Sequence, residues 1–202
     1  MSSLDTRQRI LRAARELLES EARPDIGLEQ VAKRAGVSRQ AIYLHFGSRG
    51  ALLLALAEFV DESEGLSELT RRVREADTAR DALDRLAWLN AEYEPRIRAV
   101  ASAHDLARRS DAELEAAWRD RMRARRALYT HVVRRLEDEG ELADGLTVNE
   151  AVDLVWALLS SRVHEDLVVD RGWSRRRYED RLRSLLRLAI TREARPEPGF
   201  PG

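Results

Sequence analysis

Cysteine is missing from all 202 residues, which excludes disulfides, thiolate metal sites and cysteine nucleophiles together. Aromatic residues make up only 5%, and histidine occurs four times. The histidines stand at His45, His104, His131 and His164, with no pair spaced i, i+3 or i+4. No two imidazoles therefore meet on one helical turn, and no zinc site is expected. There is no Gly-rich phosphate loop and no serine in a G-x-S-x-G elbow, which removes two common catalytic frameworks. Carboxylates abound, but mostly as i, i+4 partners of arginine, the pattern of a solvated helix face. The chain therefore reads as a non-enzyme with no cofactor. Uncharged runs reach only about eight residues, far short of the ~20 that span a bilayer. The opening stretch, MSSLDTRQRILRAARELLES, turns charged and periodic at once and lacks the apolar core of a secretory leader. A cytoplasmic protein with no membrane partner is expected.

What is present is charge, at 35% of residues, with a net of −1 that hides an asymmetry. Residues 1–50 hold nine basic and six acidic side chains, and the remainder holds 26 and 30. A basic head on an acidic body suits a chain that meets phosphates at one end only.

The hydrophobic pattern is helical almost throughout, and no convincing alternating strand occurs. Ile10, Leu11, Ala14, Leu17 and Leu18 make one apolar face, broken by Pro24 and Gly27. A short pattern at Leu28, Val31, Ala32 and Ala35 stops at Gly36. Ser38 can cap a second short helix to about His45, and after Gly47, Ser48 can cap a fourth reaching about Glu64. Residues 66–77 are ambiguous. Thr78 opens a helix carrying Leu83, Leu86, Leu89 and Tyr93, which Pro95 is expected to end while starting the next. Asp111 caps a long helix running through Leu136, stopped by Gly140 and Gly145. A helix over about 147–171 follows, closed by Gly172, and a last one spans about 174–193. The fold class is all-α. Residues 1–47 are expected to form a small helix-turn-helix head, 48–194 a helical body, and the Pro/Gly-rich 195–202 a disordered tail.

The segment VAKRAGVSRQAIYLHF, residues 31–46, carries the most information. Gly36 permits a tight turn between two short helices, Ala32 lets them approach, and Ile42 returns the second to the core. Val31 and Val37 supply the packing. Arg39, Gln40, Tyr43 and His45 are left facing outward, all able to hydrogen-bond base edges or phosphates. An ordinary helical hairpin has similar spacing, which keeps open a second reading as a helical partner-binding adaptor without an operator.

At AKRAGVSRQAIYLHFGSRGALLLA the chain resembles the N-terminal signature of TetR-family regulators. The resemblance implies a three-helix DNA-binding head, a connecting fourth helix, and a larger helical domain for ligand binding and dimerisation. It implies base contacts from Arg39 and Gln40 at the start of the recognition helix, with Ser38, its cap, also among the DNA-binding residues. It also implies phosphate or sugar contacts from Tyr43 and His45, and a phosphate contact from Arg49, where the family usually has lysine. Gly27, Leu44 and Gly50 depart from the pattern, at positions that usually hold threonine, a polar residue and an acid. The expected partners are double-stranded DNA with a palindromic operator, a second copy of the chain, and a small-molecule effector.

Two further expectations concern the body. Aromatic and polar groups recur on several helical faces, a mixture suited to a small-molecule pocket. Tyr93, His104, Trp118, Met122, Tyr129 and Trp156 are the candidate contacts, although the same stripes also read as ordinary core. The stretch Val152–Leu159 is apolar all round except for Asp153, as though covered on two sides. Leu154 and Leu158, with Leu182, Leu185 and Leu186 of the last helix, are the candidate dimer interface.

Overall fold

The computed structural model describes residues 3–21 and 25–192. Pro24 and the expected tail at 195–202 lie outside the described residues. The chain runs α1 (Ser3–Glu21), α2 (Leu28–Ala35), α3 (Arg39–Phe46), α4 (Arg49–Ser63), α5 (Leu66–Arg74), α6 (Ala79–Ala107), α7 (Ala112–Asp138), α8 (Val148–Leu158), a short α9 (Ser161–His164) and α10 (Arg175–Ile190). The all-α expectation holds. Among the described residues the single exception is an isolated antiparallel bridge between Leu142 and Thr191.

Two compact units result. One joins Met1–Ser67 to Pro95–Ala124, and the other joins Glu68–Glu94 to Arg125–Gly202. In the first, Ile10, Leu11, Ala14, Leu18, Val31, Ile42, Leu52, Leu56, Val100 and Leu114 form a continuous buried core. In the second, Leu83, Leu86, Val132, Val133, Leu136, Val155, Tyr178, Leu182, Leu186 and Ile190 are buried.

Most helix ends follow the local chemistry of the sequence. Ser38, Ser48 and Ser174 each accept the backbone N–H three residues on, at 3.1, 3.0 and 3.2 Å. Thr147 accepts the Glu150 N–H while the Glu150 carboxylate accepts the Thr147 N–H at 2.9 Å. This reciprocal pair satisfies two otherwise orphaned donors. Asp111 accepts from the Glu113 and Leu114 N–H groups, as expected of a cap. The ambiguous stretch becomes helical as α5, where Val73 is buried and Arg71 pairs with Glu68 at 2.7 Å.

Two expectations about helix continuity are corrected. Pro95 does not divide α6, which continues from Ala79 to Ala107. Proline deprives a helix interior of one N–H and crowds the preceding turn, at ~3 kcal/mol. Burial on both sides of it, Leu83, Leu86, Ala87 and Ala91 before and Val100 and Ala103 after, offsets that cost. Conversely, the helix expected over 147–171 is interrupted. It stops at Leu158, and Ser160 caps a new start by accepting the Val163 N–H at 3.4 Å. A π-helical turn over Glu165–Asp170 follows before Gly172 closes the segment with φ of 65°. The Leu159 carbonyl lies at the break and is hydrogen-bonded by side chains instead.

Candidate nucleic-acid interface and buried polar sites

The turn between α2 and α3 is set by Gly36, at φ 64°, where an L side chain is strained. The Val37 N–H reaches the Ala32 carbonyl at 3.0 Å and closes the turn. Val31 and Ile42 are fully buried and Ala32 nearly so, and they fix the angle between the two helices. The remaining face of α3 points to solvent: Ser38, Arg39, Gln40 and Tyr43 are exposed and His45 is half-buried. The Arg39 guanidinium donates to the Tyr43 hydroxyl at 3.2 Å and lies 5.7 Å from the ring centroid. That hydrogen bond raises the Arg39 pKa above its ordinary value. The pair presents five donors and a phenol from adjacent turns of one helix, chemistry suited to base edges and phosphates.

Arg49 occupies a different setting. Its Nε donates to the Ile26 carbonyl at 3.2 Å, and a terminal nitrogen meets the Asp25 carboxylate at 2.5 Å. Arg49 thus holds the segment before α2 against the start of α4. Gly27 offers no side-chain cap, but the Gln30 side-chain oxygen accepts the Gly27 N–H at 2.9 Å, the reverse half of a capping box. Gly50 has a steric purpose, because a Cβ there would collide with the Asp111 carboxylate.

Leu44 was not among the expected contacts, yet it is 85% exposed on α3. Its position two residues after the buried Ile42 already turned it outward by helical phase. An exposed leucine on this face can meet a thymine methyl group, the apolar mark of the major groove.

The candidate pocket residues fall into two groups. In the first unit, His104 and Trp118 line a small cavity with Ala57, Val60, Asp61, Ile97, Val100, Ala101 and Arg121. Its volume is about 20 Å³, room for one water. His104 Nε2 lies 3.0 Å from the Leu114 carbonyl, and the ring meets Trp118 edge-on at 5.6 Å. Arg121 pairs with Asp61 at the cavity wall. Met122 is half-buried in the same unit. The second unit holds Tyr93, Tyr129 and Trp156. Tyr129 and Trp156 meet edge-on with centroids 6.1 Å apart, and Tyr93 is buried. Arg125 lies over both rings of the Tyr129–Trp156 pair, a partner the hydrophobic stripe did not reveal.

Burial lowers the His104 pKa, with the hydrogen bond to Leu114 opposing and the cations Arg121 and Arg108 assisting. A depressed folded pKa means that the unfolded chain binds the proton first on acidification. The stability due to neutral His104 is complete above the ordinary value of 6.5 and is lost as pH falls through the lower folded value. The melting temperature should therefore drop faster as pH falls below 6.5 in the wild type than in His104→Gln. Equal slopes in thermal melts between pH 7 and 5 would remove His104 from this account.

The candidate dimer leucines also separate. Leu182 and Leu186 share the inward face of α10 with Tyr178 and Ile190, and are 2% and 0% exposed. They belong to the chain's own core and are not available to a partner, a correction that their burial decides. Leu185 is 46% exposed and Leu154 39%, Leu158 is half-buried, and Leu188, unnoticed in the sequence, is 72% exposed.

Residues 10–56 match the sequence profile of bacterial regulatory proteins of the tetR family. Over 143 residues the chain is 31% identical to the HTH-type transcriptional regulator EthR of Mycobacterium tuberculosis, spanning 70% of this chain and 66% of EthR. This chain belongs to the TetR family. Members of that family are DNA-binding regulators of transcription rather than enzymes. The aligned region covers just under two thirds of EthR's length. The family fold extends over nearly the whole chain. A transcriptional regulator from Saccharomonospora viridis, solved with choline, superposes with a TM-score of 0.79 at 18% identity, over 94% of this chain and 99% of that one. FadR of Bacillus subtilis, solved with stearoyl-CoA, superposes with a TM-score of 0.67 at 20% identity, over 89% and 96%.

Proposed function

We propose that this TetR-family chain is a cytoplasmic repressor that holds a palindromic operator as a homodimer and releases it when a small molecule binds the body. The observation that carries the DNA half is the exposed face of α3. Arg39, Gln40 and Tyr43 are free of the core while Ile42 anchors the helix beneath them. A head at 1–47 and a body at 48–194 assign those two tasks to separate stretches. Tyr43, His45 and Arg49 are assigned to phosphates and Arg39 and Gln40 to bases, with Leu44 as an added apolar reader.

Dimerisation is assigned to the exposed apolar face formed by Leu154, Leu158, Leu185 and Leu188, which a folded monomer would leave in water. The effector half draws on His104, Trp118 and Met122 in the first unit and, separately, on Tyr93, Tyr129 and Trp156 in the second, each group mixing rings with a few polar atoms. Within the first unit there is a physical route from such a site to the head. The Leu114 carbonyl accepts from His104 Nε2 at 3.0 Å, and Leu114 and Asp111 abut Gly50 at the first turn of α4. The relatives solved with choline and stearoyl-CoA support a ligand-responsive body.

An effector moves the equilibrium only by its differential affinity for the two states. For coupling of ~1–3 kcal/mol, operator affinity should fall about 5- to 150-fold at saturation. Fluorescence anisotropy on the selected operator, across a compound library, measures this. If no compound both raises the melting temperature and releases DNA, the sensor half fails. A helical adaptor would differ earlier, by showing no sequence preference on DNA at all.

A further inference from the structure

The second unit buries a polar cluster that the DNA-binding reading does not use. Glu94, on α6, is 4% exposed, and its Oε1 has no hydrogen-bond partner. Asn90, Arg125, Tyr129 and Tyr178, by contrast, are already engaged. Asn90 donates to the Leu159 carbonyl at 3.0 Å and accepts from the Tyr178 hydroxyl at 2.7 Å. Arg125 donates from Nε to the Tyr129 hydroxyl at 2.6 Å and from a terminal nitrogen to the Leu159 carbonyl. Its guanidinium sits 5.7 Å from the centroids of both Tyr129 and Trp156. His164 packs edge-on against Tyr178 at 5.2 Å.

Such an arrangement is costly without a purpose. A buried carboxylate loses hydration that only hydrogen bonds or a counter-charge can replace. Arg125 acts on Glu94 through space, as it does on Tyr129 and Tyr178, but spends its hydrogen bonds elsewhere. Glu94 Oε1 therefore remains an acceptor with no donor, in a neighbourhood that holds Arg125, Tyr129 and Tyr178. Rings and a carboxylate together recognise an ammonium group: the ring faces attract the charge and the carboxylate takes its N–H. Arg125 already uses two of these rings as a cation would, which marks the surround as one that holds positive charge. Of the cluster, only Arg125 and Trp156 are half-buried, and the other members are buried.

We infer that Glu94, with Tyr129, Trp156 and Tyr178, forms the anchor of a binding site for a primary amine carrying an apolar chain. The amine N–H meets Glu94 Oε1, and its chain leaves between Trp156 and Arg125. That this site serves an effector rests on the ligand-responsive reading above, whereas binding itself does not. A quaternary ammonium lacks the N–H and should bind more weakly. A carboxylate of equal length meets Glu94 as a like charge and should not bind.

The test compares n-octylamine, octyltrimethylammonium, n-octanol and octanoate at pH 7 on the full chain, by thermal melting and calorimetry. Octylamine at a hundred-fold excess over its Kd should raise the melting temperature by about 5 °C or more. Octanol and octanoate should leave it unchanged, and the quaternary ammonium should give a smaller rise. Glu94→Gln keeps the shape and removes the charge. Its ligand-free melting temperature should equal or exceed the wild type's, and its octylamine affinity should fall at least ten-fold. Equal shifts from octanol and octylamine, or an undiminished response in Glu94→Gln, would overturn the inference. If Glu94→Gln did not fold, the four probes on the wild type would still decide. Amine binding that leaves operator affinity unchanged would overturn the effector reading and uphold the site.

Discussion

Glutamate in place of Leu185 should split the dimer and weaken operator binding by about 100-fold or more. The residue is 46% exposed in the folded chain, so the substitution leaves the monomer's core untouched, and surface changes of this kind stay within about 0.5 kcal/mol. In the proposed dimer the same position would face a partner. A carboxylate buried there without a counter-charge loses hydration that nothing replaces. A monomer then holds one half-site and forfeits the second contact, which the dimer makes at an effective concentration that raises avidity ~10²–10⁴-fold. Sedimentation should show a monomer with wild-type melting. Leu182→Ala provides the contrast: at 2% exposure it should cost ~2–5 kcal/mol of fold stability through a cavity. A Leu185→Glu protein that remains dimeric at micromolar concentration would refute the interface.

Arg39→Ala should flatten the preference at one base position in each half-site while leaving the fold intact. A bidentate arginine–guanine pair is worth ~1–3 kcal/mol of discrimination. Two copies in a dimer therefore carry about 2–6 kcal/mol, roughly 30- to 20,000-fold in affinity. Arg39 is exposed and its hydrogen bond is to Tyr43, so the side chain is held on the outward face before DNA arrives. Holding it there reduces the rotamer entropy lost on binding. Tyr43→Phe removes that hydroxyl and should weaken binding to all sequences alike, without moving the preferred base. An unchanged preference in Arg39→Ala would show that another residue reads the base.

The head was legible in the sequence because each of its constraints is local. Gly36, Ala32 and Ile42 lie within eleven residues, and their spacing alone demands a turn, a close approach and a buried anchor. Serine and threonine caps were legible for the same reason. Pro95 and the break at Leu159–Ser160 were not. At Pro95, burial along both halves of α6 outweighs a local helix-breaker. At Leu159 the deciding partners are Asn90 and Arg125, distant in the chain by 69 and 34 positions. Periodicity could place Leu182 and Leu186 on one stripe with Leu185 but could not say which side met the core. The isolation of Glu94 was invisible too, since an unmet hydrogen bond has no sequence pattern.

The central claim is that this chain reads a specific, two-fold symmetric DNA sequence with α3. Selection of bound duplexes from a random pool, at physiological salt, tests it most directly. The account predicts one enriched palindrome with half-sites centred near a whole number of helical turns apart, lost as a preference in Arg39→Ala. Recovery of no enriched sequence, or of a single asymmetric site, would contradict it.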